Sequence, residues 1–125
     1  MPAKELRPPV WVGHISLSTN AIDATHSFML ELGMRPIFRN EGISVLELRG
    51  GTHILLFQTE PPDGSNAVGF DLMVDSLDES WAEYSGKGLA PSEIVRGRPH
   101  DTFTLVEPSG HVITINSTHV SDKPV

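Results

Sequence analysis

Two ionisable residues, His14 and Asp71, lie in segments that alternate between apolar and polar side chains, as strands with one buried face do. Asp71 stands between Phe70 and Leu72. A carboxylate on a central strand is costly to bury alone, so we expect Asp71 to face water, a ligand or His14. Because imidazole titrates near neutral pH, a His14–Asp71 pair could do acid–base work, and it could equally be a structural hydrogen bond. These two residues are the catalytic candidates.

A pocket is expected beside these two residues, since strand alternation brings further side chains to the same side. Small-ligand sites combine an apolar bulk with a few convergent polar groups. The expected ligand-binding residues are His14, Ser16, Ile54, Leu56, Asp71, Met73, Val112 and Thr114. For Ile54, Leu56 and Met73, ordinary core packing is the competing interpretation.

Other chemistry finds less support in the sequence. There is no nucleophile elbow, Walker-type loop or HExxH motif, and the absence of cysteine excludes thiol chemistry and disulfides. His53 and His111 open strands beside turns, where we expect them to serve the turn. Arg96 and Arg98 flank Gly97. They either bring positive charge to a cleft entrance, which favours an anionic or oxygen-rich ligand, or they lie in a solvated turn.

The segments that carry these residues occur twice along the chain. Equivalent helix starts and helix ends are 55 residues apart, and two histidines that open matching strands are 58 apart. These anchor pairs are Ile22 and Leu77, Gly33 and Gly88, and His53 and His111. A fixed internal spacing indicates a repeated architecture, with a three-residue insertion in the second copy.

Each copy is predicted to contain a strand, a helix and three further strands. The predicted strands span 12–19, 34–39, 43–49 and 53–58 in the first copy and 68–74, 93–96, 102–106 and 111–116 in the second. Asn20 is the expected N-cap of the first helix, and Ser76 has capping-box spacing to Glu79 in the second. We expect a single domain over 1–125, with unit one at about 10–60, a linker at 61–66, unit two at about 67–117 and a polar tail at 118–125.

The composition narrows the class of partner. The chain has 125 residues, of which 38% are hydrophobic, enough for one core, and a formal net charge of −7. Nucleic acids and anionic membranes need clustered positive charge, so neither is an expected partner. Apolar runs are too short to span a bilayer, and Met1 to Pro9 lack the apolar run of a signal peptide. We expect a cytoplasmic protein.

Three local motifs accompany the tandem βαβββ pattern. They are Gly13-His14-Ile15 in the first strand, Val74-Asp75-Ser76-Leu77-Asp78 before the second helix and Glu107-Pro108-Ser109-Gly110-His111 before the last strand. With them the chain resembles the vicinal oxygen chelate superfamily, the glyoxalase, bleomycin resistance protein and extradiol dioxygenase group. The resemblance implies an α+β fold of two tandem βαβββ units whose curved mixed sheets surround a cleft, and it implies a homodimer.

The resemblance also implies where a metal would bind. Its four ligand positions fall on His14, Leu56, Gly69 and Thr114. Only His14 can bind a divalent ion well, whereas a catalytic metal needs about three such ligands. A displaced set of His14, Glu47 and Asp71 remains open if Leu48 pairs with His53, because Glu47 would then lie on the pocket side opposite Ile54.

We therefore expect a glyoxalase/bleomycin-resistance-like protein that binds a small organic molecule in its cleft without a cofactor. Whether it is an enzyme is left open by the sequence. One alternative is a lyase, isomerase or dioxygenase that depends on a divalent metal held by the displaced set. A second alternative is an accessory or interaction domain whose cleft is vestigial.

Overall fold

The computed structural model describes residues 6–60, 68–118 and 124–125. The expected linker at 61–66 and most of the expected tail lie outside the described residues. The elements in chain order are β1 (His14–Thr19), α1 (Ile22–Glu31), β2 (Arg35–Arg39), β3 (Ile43–Glu47), β4 (His53–Gln58), β5 (Leu72–Val74), α2 (Leu77–Gly86), β6 (Thr102–Val106) and β7 (Val112–Ser117), with a short 3-10 turn at Arg49–Gly51.

The two units repeat one strand arrangement. The first sheet has the order β1-β4-β3-β2, with β1 and β4 parallel and the other pairs antiparallel. The second sheet has the order β5-β7-β6, with β5 and β7 parallel and β6 and β7 antiparallel. The predicted α+β fold of two tandem units with mixed sheets is confirmed. The two sheets do not close on each other.

The predicted strand at 93–96 is reduced to one isolated bridge between Val95 and Thr102. Just before it, the Ser92 amide donates to the Thr104 carbonyl at 2.9 Å. This segment lies between Pro91, which has no amide donor, and Gly97, so few residues are available to pair with β6. The second sheet therefore has three full strands and a rudimentary fourth.

The two helices begin in different ways. The Ser76 hydroxyl accepts from the Glu79 amide at 3.3 Å, as its spacing predicts. The expectation for Asn20 is wrong, because the N-cap of α1 is Ala21, which has no capping side chain. Instead the Gln58 side-chain oxygen accepts from the Ile22 amide at 2.9 Å. A residue of β4 thus replaces the local cap, because the helix start lies against the end of that strand.

One hydrophobic core joins the two units. It contains helix residues such as Phe28 and Met29 together with alternate residues of both sheets. Polar contacts also cross between the units. The Tyr84 hydroxyl donates to the Leu32 carbonyl at 3.3 Å, and the Thr25 hydroxyl donates to the buried Glu107 carboxylate at 2.8 Å. The apolar faces of both units are therefore buried together, and the described residues leave the opposite face of each sheet uncovered.

Candidate functional site

The uncovered side of the first sheet, here called the first open face, carries a row of four polar residues across all four strands. His14 pairs with His53, His53 with Glu47, and Glu47 with Arg35. Residues directly opposite each other on paired strands share a face, so all four side chains lie on the same side. We call these four residues the polar row.

The polar row is held by its own contacts. His53 Nε2 lies 3.1 Å from Glu47 Oε2, and the Arg35 guanidinium donates to Glu47 Oε1 at 2.8 Å. The rings of His14 and His53 stack with centroids 5.9 Å apart. The Glu47 side chain is 21% exposed and that of His53 30%, so this pair is partly shielded from water. Glu47 thereby orients an imidazole that can bind a ligand or carry a proton.

Apolar side chains fill the next two rows of the first open face. Leu55 pairs with Val45, and Val45 with Phe38, while Phe57 pairs with Ile43. Ser16 and Ser18 complete these rows on β1, opposite Leu55 and Phe57. Phe38 is 52% exposed. The first open face therefore combines a polar end with a broad apolar area, the mixture that small-ligand sites have.

The uncovered side of the second sheet, the second open face, has a different composition. It carries Thr102, Thr104, Thr114, Asn116, Met73, Val106 and Val112, as the registers of β5, β6 and β7 show. The Asn116 amide donates to Asp71 Oδ2 at 3.1 Å. Val106 is 61% exposed and Met73 46%.

The structure places most of the expected ligand-binding residues on these two faces. His14 and Ser16 lie on the first open face, and Met73, Val112 and Thr114 lie on the second. The carboxylate of Asp71, which directly precedes β5, accepts instead from the Asn116 amide of β7. The expected His14–Asp71 pair is therefore not formed, because the two residues belong to different sheets.

The expected placement of Ile54 and Leu56 beside His14 is wrong. Both are fully buried, paired with Ile15 and Leu17 on the core side of β1. The strand pairing matches each residue of β4 with the residue of β7 that lies 59 positions later, so Gly51 before β4 matches Gly110 before β7. The sequence alignment had instead matched His53 with His111, which are 58 apart. A register shift of one residue moves a side chain to the opposite face of a strand. The residue that matches Thr114 is thus Leu55.

The pairing of β3 with β4 also differs from the one expected for Glu47. Glu47 pairs with His53, and the Leu48 amide instead donates to the Thr52 carbonyl at 2.8 Å. Glu47 does lie on the pocket side. Among the described residues, however, no three His, Asp or Glu side chains are grouped closely enough to hold a metal ion, and His14, Glu47 and Asp71 form no such set within one chain.

Sequence reasoning missed two members of the polar row, Arg35 and His53. His53 was expected to serve its turn, yet its side chain lies beside that of His14. The parallel pairing of β1 with β4 would have shown this, but pairing register is not encoded locally. His111 behaves differently, because its Nε2 donates to the Ser18 carbonyl at 2.7 Å and so joins the units.

Arg96 does not offer a free positive charge. It donates to Asp78 at 2.6 Å and to Asp101 at 3.1 Å. These bonds raise the pKa of Arg96 and lower the pKa of Asp78. Of the two interpretations, the structure favours a turn fixed by ion pairs.

Across the described residues, neither helix is both long and apolar enough to cross a membrane.

Two tandem units with open sheet faces and a shared helical core define a fold class. Solved structures of glyoxalase/bleomycin resistance proteins have a similar fold. One is a glyoxalase/bleomycin resistance protein/dioxygenase from Alicyclobacillus acidocaldarius, 16% identical over 92% of this chain and 96% of that chain, with a TM-score of 0.71.

Two further structures carry more specific names. A bleomycin resistance determinant encoded on transposon Tn5 is 22% identical over 89% of this chain and all of that chain, with a TM-score of 0.67. TnmS3, an antibiotic binding protein from Streptomyces sp. CB03234, is 21% identical over 86% of this chain and 95% of that chain, with a TM-score of 0.73. No family model and no curated protein matches the chain.

Proposed function

We propose that the protein binds a small organic molecule on its open sheet faces, as a homodimer and without a bound metal. The observation that carries this proposal is the first open face, where the polar row borders uncovered apolar rows. A ligand with an aromatic or alicyclic body would pack on Leu55, Val45 and Phe38. Its oxygen atoms would accept hydrogen bonds from Arg35, His14 or His53.

The neighbouring structures support this kind of ligand. Their names describe an antibiotic binding protein and a bleomycin resistance determinant. We infer a comparable role here, in which the protein sequesters a compound or acts on it through the His53–Glu47 pair. That pair supports lyase or isomerase chemistry as a second candidate, since a carboxylate-oriented imidazole can transfer protons.

The exposed apolar side chains support a homodimer. Phe38 on the first open face and Val106 on the second are both more than half exposed. Large uncovered apolar patches usually mark binding or assembly surfaces. In a two-fold dimer each face contacts its counterpart reciprocally, so the first open face of one chain would cover the second open face of its partner. The ligand would then be enclosed between the two faces.

Binding without metal is supported by the side chains at the positions where the superfamily places ligands. The strand register of the structure puts Leu55, and not Leu56, at one of these positions. Neither leucine can coordinate an ion. Gly69 and Thr114 supply no strong ligand either, so His14 stands alone. Within the polar row Glu47 is already engaged by the Arg35 guanidinium and the His53 ring.

Calorimetric titration with bleomycin, which carries aromatic rings, tests the ligand proposal. We expect it to bind, and Glu47→Gln to weaken its affinity about tenfold because the row loses its central charge. Glu93→Gln, a change of an exposed carboxylate that does not belong to the polar row, is the matched control. Equal affinity of bleomycin for both variants would show that the polar row takes no part, and absence of binding to the wild-type protein would contradict the proposed ligand class.

Elemental analysis of protein purified without chelator tests the metal proposal. We expect less than a stoichiometric amount of any divalent metal, and no change on His14→Ala. A stoichiometric metal that is lost in the His14→Ala variant would establish the metal-dependent lyase, isomerase or dioxygenase instead.

A further inference from the structure

A cleft of about 450 Å³ lies between the two units, where the end of α1 faces β5 and α2. None of the four polar-row residues lines it, so it is separate from the first open face, and through Met73 it borders the second open face. Its floor is apolar and comes from both units: Leu32, Met34, Leu48, Leu72, Tyr84 and Ile115. This floor gives the cleft the apolar bulk that small-molecule sites require.

One wall of the cleft is acidic. Glu79 and Glu83 lie one turn apart on α2, and Asp75 precedes that helix. Glu79 makes no ion pair with any residue that the structure describes, and the closest cation to Glu83 is Lys87, with its Nζ 3.7 Å from Oε2. Like charges one turn apart repel each other, so a cation placed between them relieves that repulsion.

Of the described residues that line the cleft, Arg49 alone is basic, and its charge is already engaged. Arg49 belongs to the hairpin of the first unit and reaches across to Asp75 of the second, with bonds of 2.6 and 3.3 Å. This contact raises the pKa of Arg49 and lowers the pKa of Asp75. The described lining therefore carries more negative charge than positive, and within it an anion finds no free cationic partner.

We propose that this inter-unit cleft is a second binding site, specific for small organic cations with an aromatic or alicyclic body. The apolar body contacts the floor, and the ammonium group lies against Glu79 and Glu83. Charge complementarity selects the cation over a neutral molecule of the same shape. Because the floor includes residues of both units, a bound cation also contacts the two units at once.

The test uses three probes with one ring system: 1-naphthylmethylammonium, 1-naphthylmethanol and 1-naphthoate. Amide chemical shifts of ¹⁵N-labelled protein map where each probe binds. We expect the cation to shift amides of 75–84 and 32–34 and to bind about fivefold more tightly than the alcohol, with the naphthoate weakest. Added salt should reduce the preference for the cation, because these carboxylates are exposed.

Matched variants separate charge from shape. Glu79→Gln combined with Glu83→Gln should abolish the preference for the cation, while the Glu93→Gln control should retain it. Ser80→Trp, which fills the cleft from α2, should block all three probes, and its melting temperature shows whether the chain is folded. Binding that is blocked in Ser80→Trp and lost selectively in the double variant supports the site.

Three results would overturn the proposal: equal affinity for the cation and the alcohol, unchanged selectivity in the double variant, or amide shifts confined to the open faces. The last result would also locate binding at the site proposed above. Because the same spectra report both sites, a failure of the cleft and a failure of the open faces are distinguishable.

Discussion

The two open faces share their strand arrangement, but where one face has a polar pair of residues the other has an apolar pair. Next to the hairpin turn, the first face has the charged pair His53–Glu47, where the second has Val112–Val106. In the following row the order reverses, because the apolar Leu55–Val45 pair of the first face corresponds to Thr114 and Thr104 on the second.

The core sides of the same strands show no such inversion. Leu46 and Ile54 correspond to Leu105 and Ile113, and all four are fully or almost fully buried. Close packing constrains the core side of both sheets to similar apolar residues. The open sides carry no such packing constraint within the described chain, so their side chains are free to differ between the two sheets. In a dimer that apposes the two faces, each cleft would combine both kinds of row.

The hairpin of the second unit provides the largest expected effect on stability. Glu107 is 1% exposed, and its carboxylate accepts from the Ser109 and His111 amides and from the Thr25 hydroxyl. Its counterpart in the first unit is Leu48. Glu107→Leu, which makes the two turns alike, should lower the free energy of unfolding by about 3 kcal/mol, because it leaves buried donors unpaired.

Denaturant unfolding measures this loss, with Glu93→Leu as the exposed control, which should change stability by less than about 0.5 kcal/mol. If the two leucine variants were equally stable, the Glu107 carboxylate would not be what joins the second hairpin to α1.

The next largest effect concerns the open faces themselves. Phe38→Ser should weaken dimer association by about 1.5 kcal/mol, or about tenfold, because the first face loses its largest exposed apolar side chain. Analytical ultracentrifugation measures the dissociation constant. Leu30→Gln, which removes an exposed apolar side chain from α1, is the control and should leave it unchanged. A monomeric wild-type chain, or equal effects of the two variants, would refute assembly through the open faces.

The helix starts give a smaller, matched pair of effects. Ser76→Ala removes the side-chain cap of α2 and should cost about 1 kcal/mol of unfolding free energy. Asn20→Ala should cost less than about 0.5 kcal/mol, since Asn20 does not cap α1. Thermal melts of the two variants measure both values. Equal losses would mean that α1 depends on Asn20 after all.

The smallest effect is a pH dependence confined to the first unit. His26 Nδ1 lies 2.6 Å from the Ser44 hydroxyl, and burial, helped by Arg39 and opposed by Asp23, lowers the His26 pKa below 6.5. The unfolded chain therefore binds this proton more readily, so stability should fall as the pH drops below 6.5.

Replacing His26 by Gln should remove that part of the acid sensitivity, because Gln does not titrate. Unfolding curves of wild type and His26→Gln between about pH 8 and pH 5 measure the difference. Stability differences that stay constant across this range would show that His26 titrates alike in the folded and unfolded chain.

The repeat, the strand alternation and the cap at Ser76 all follow from short stretches of sequence. Local periodicity determines which side chains share a strand face, so it was sufficient for the two-unit fold and for placing His14 and Thr114 on uncovered sides. The same reasoning failed at Ile54 and Leu56, where an alignment on His53 and His111 was wrong by one residue.

What the sequence by itself determined is therefore the pattern within each element, because helix and strand periods depend on neighbouring residues. Only the tertiary structure decided which elements meet and in what register. It stacks the ring of His53 on that of His14. It also forms the hydrogen bonds between Asn116 and Asp71 and between Thr25 and Glu107. Those contacts join residues far apart in the chain, and they depend on hairpin length and on packing between units.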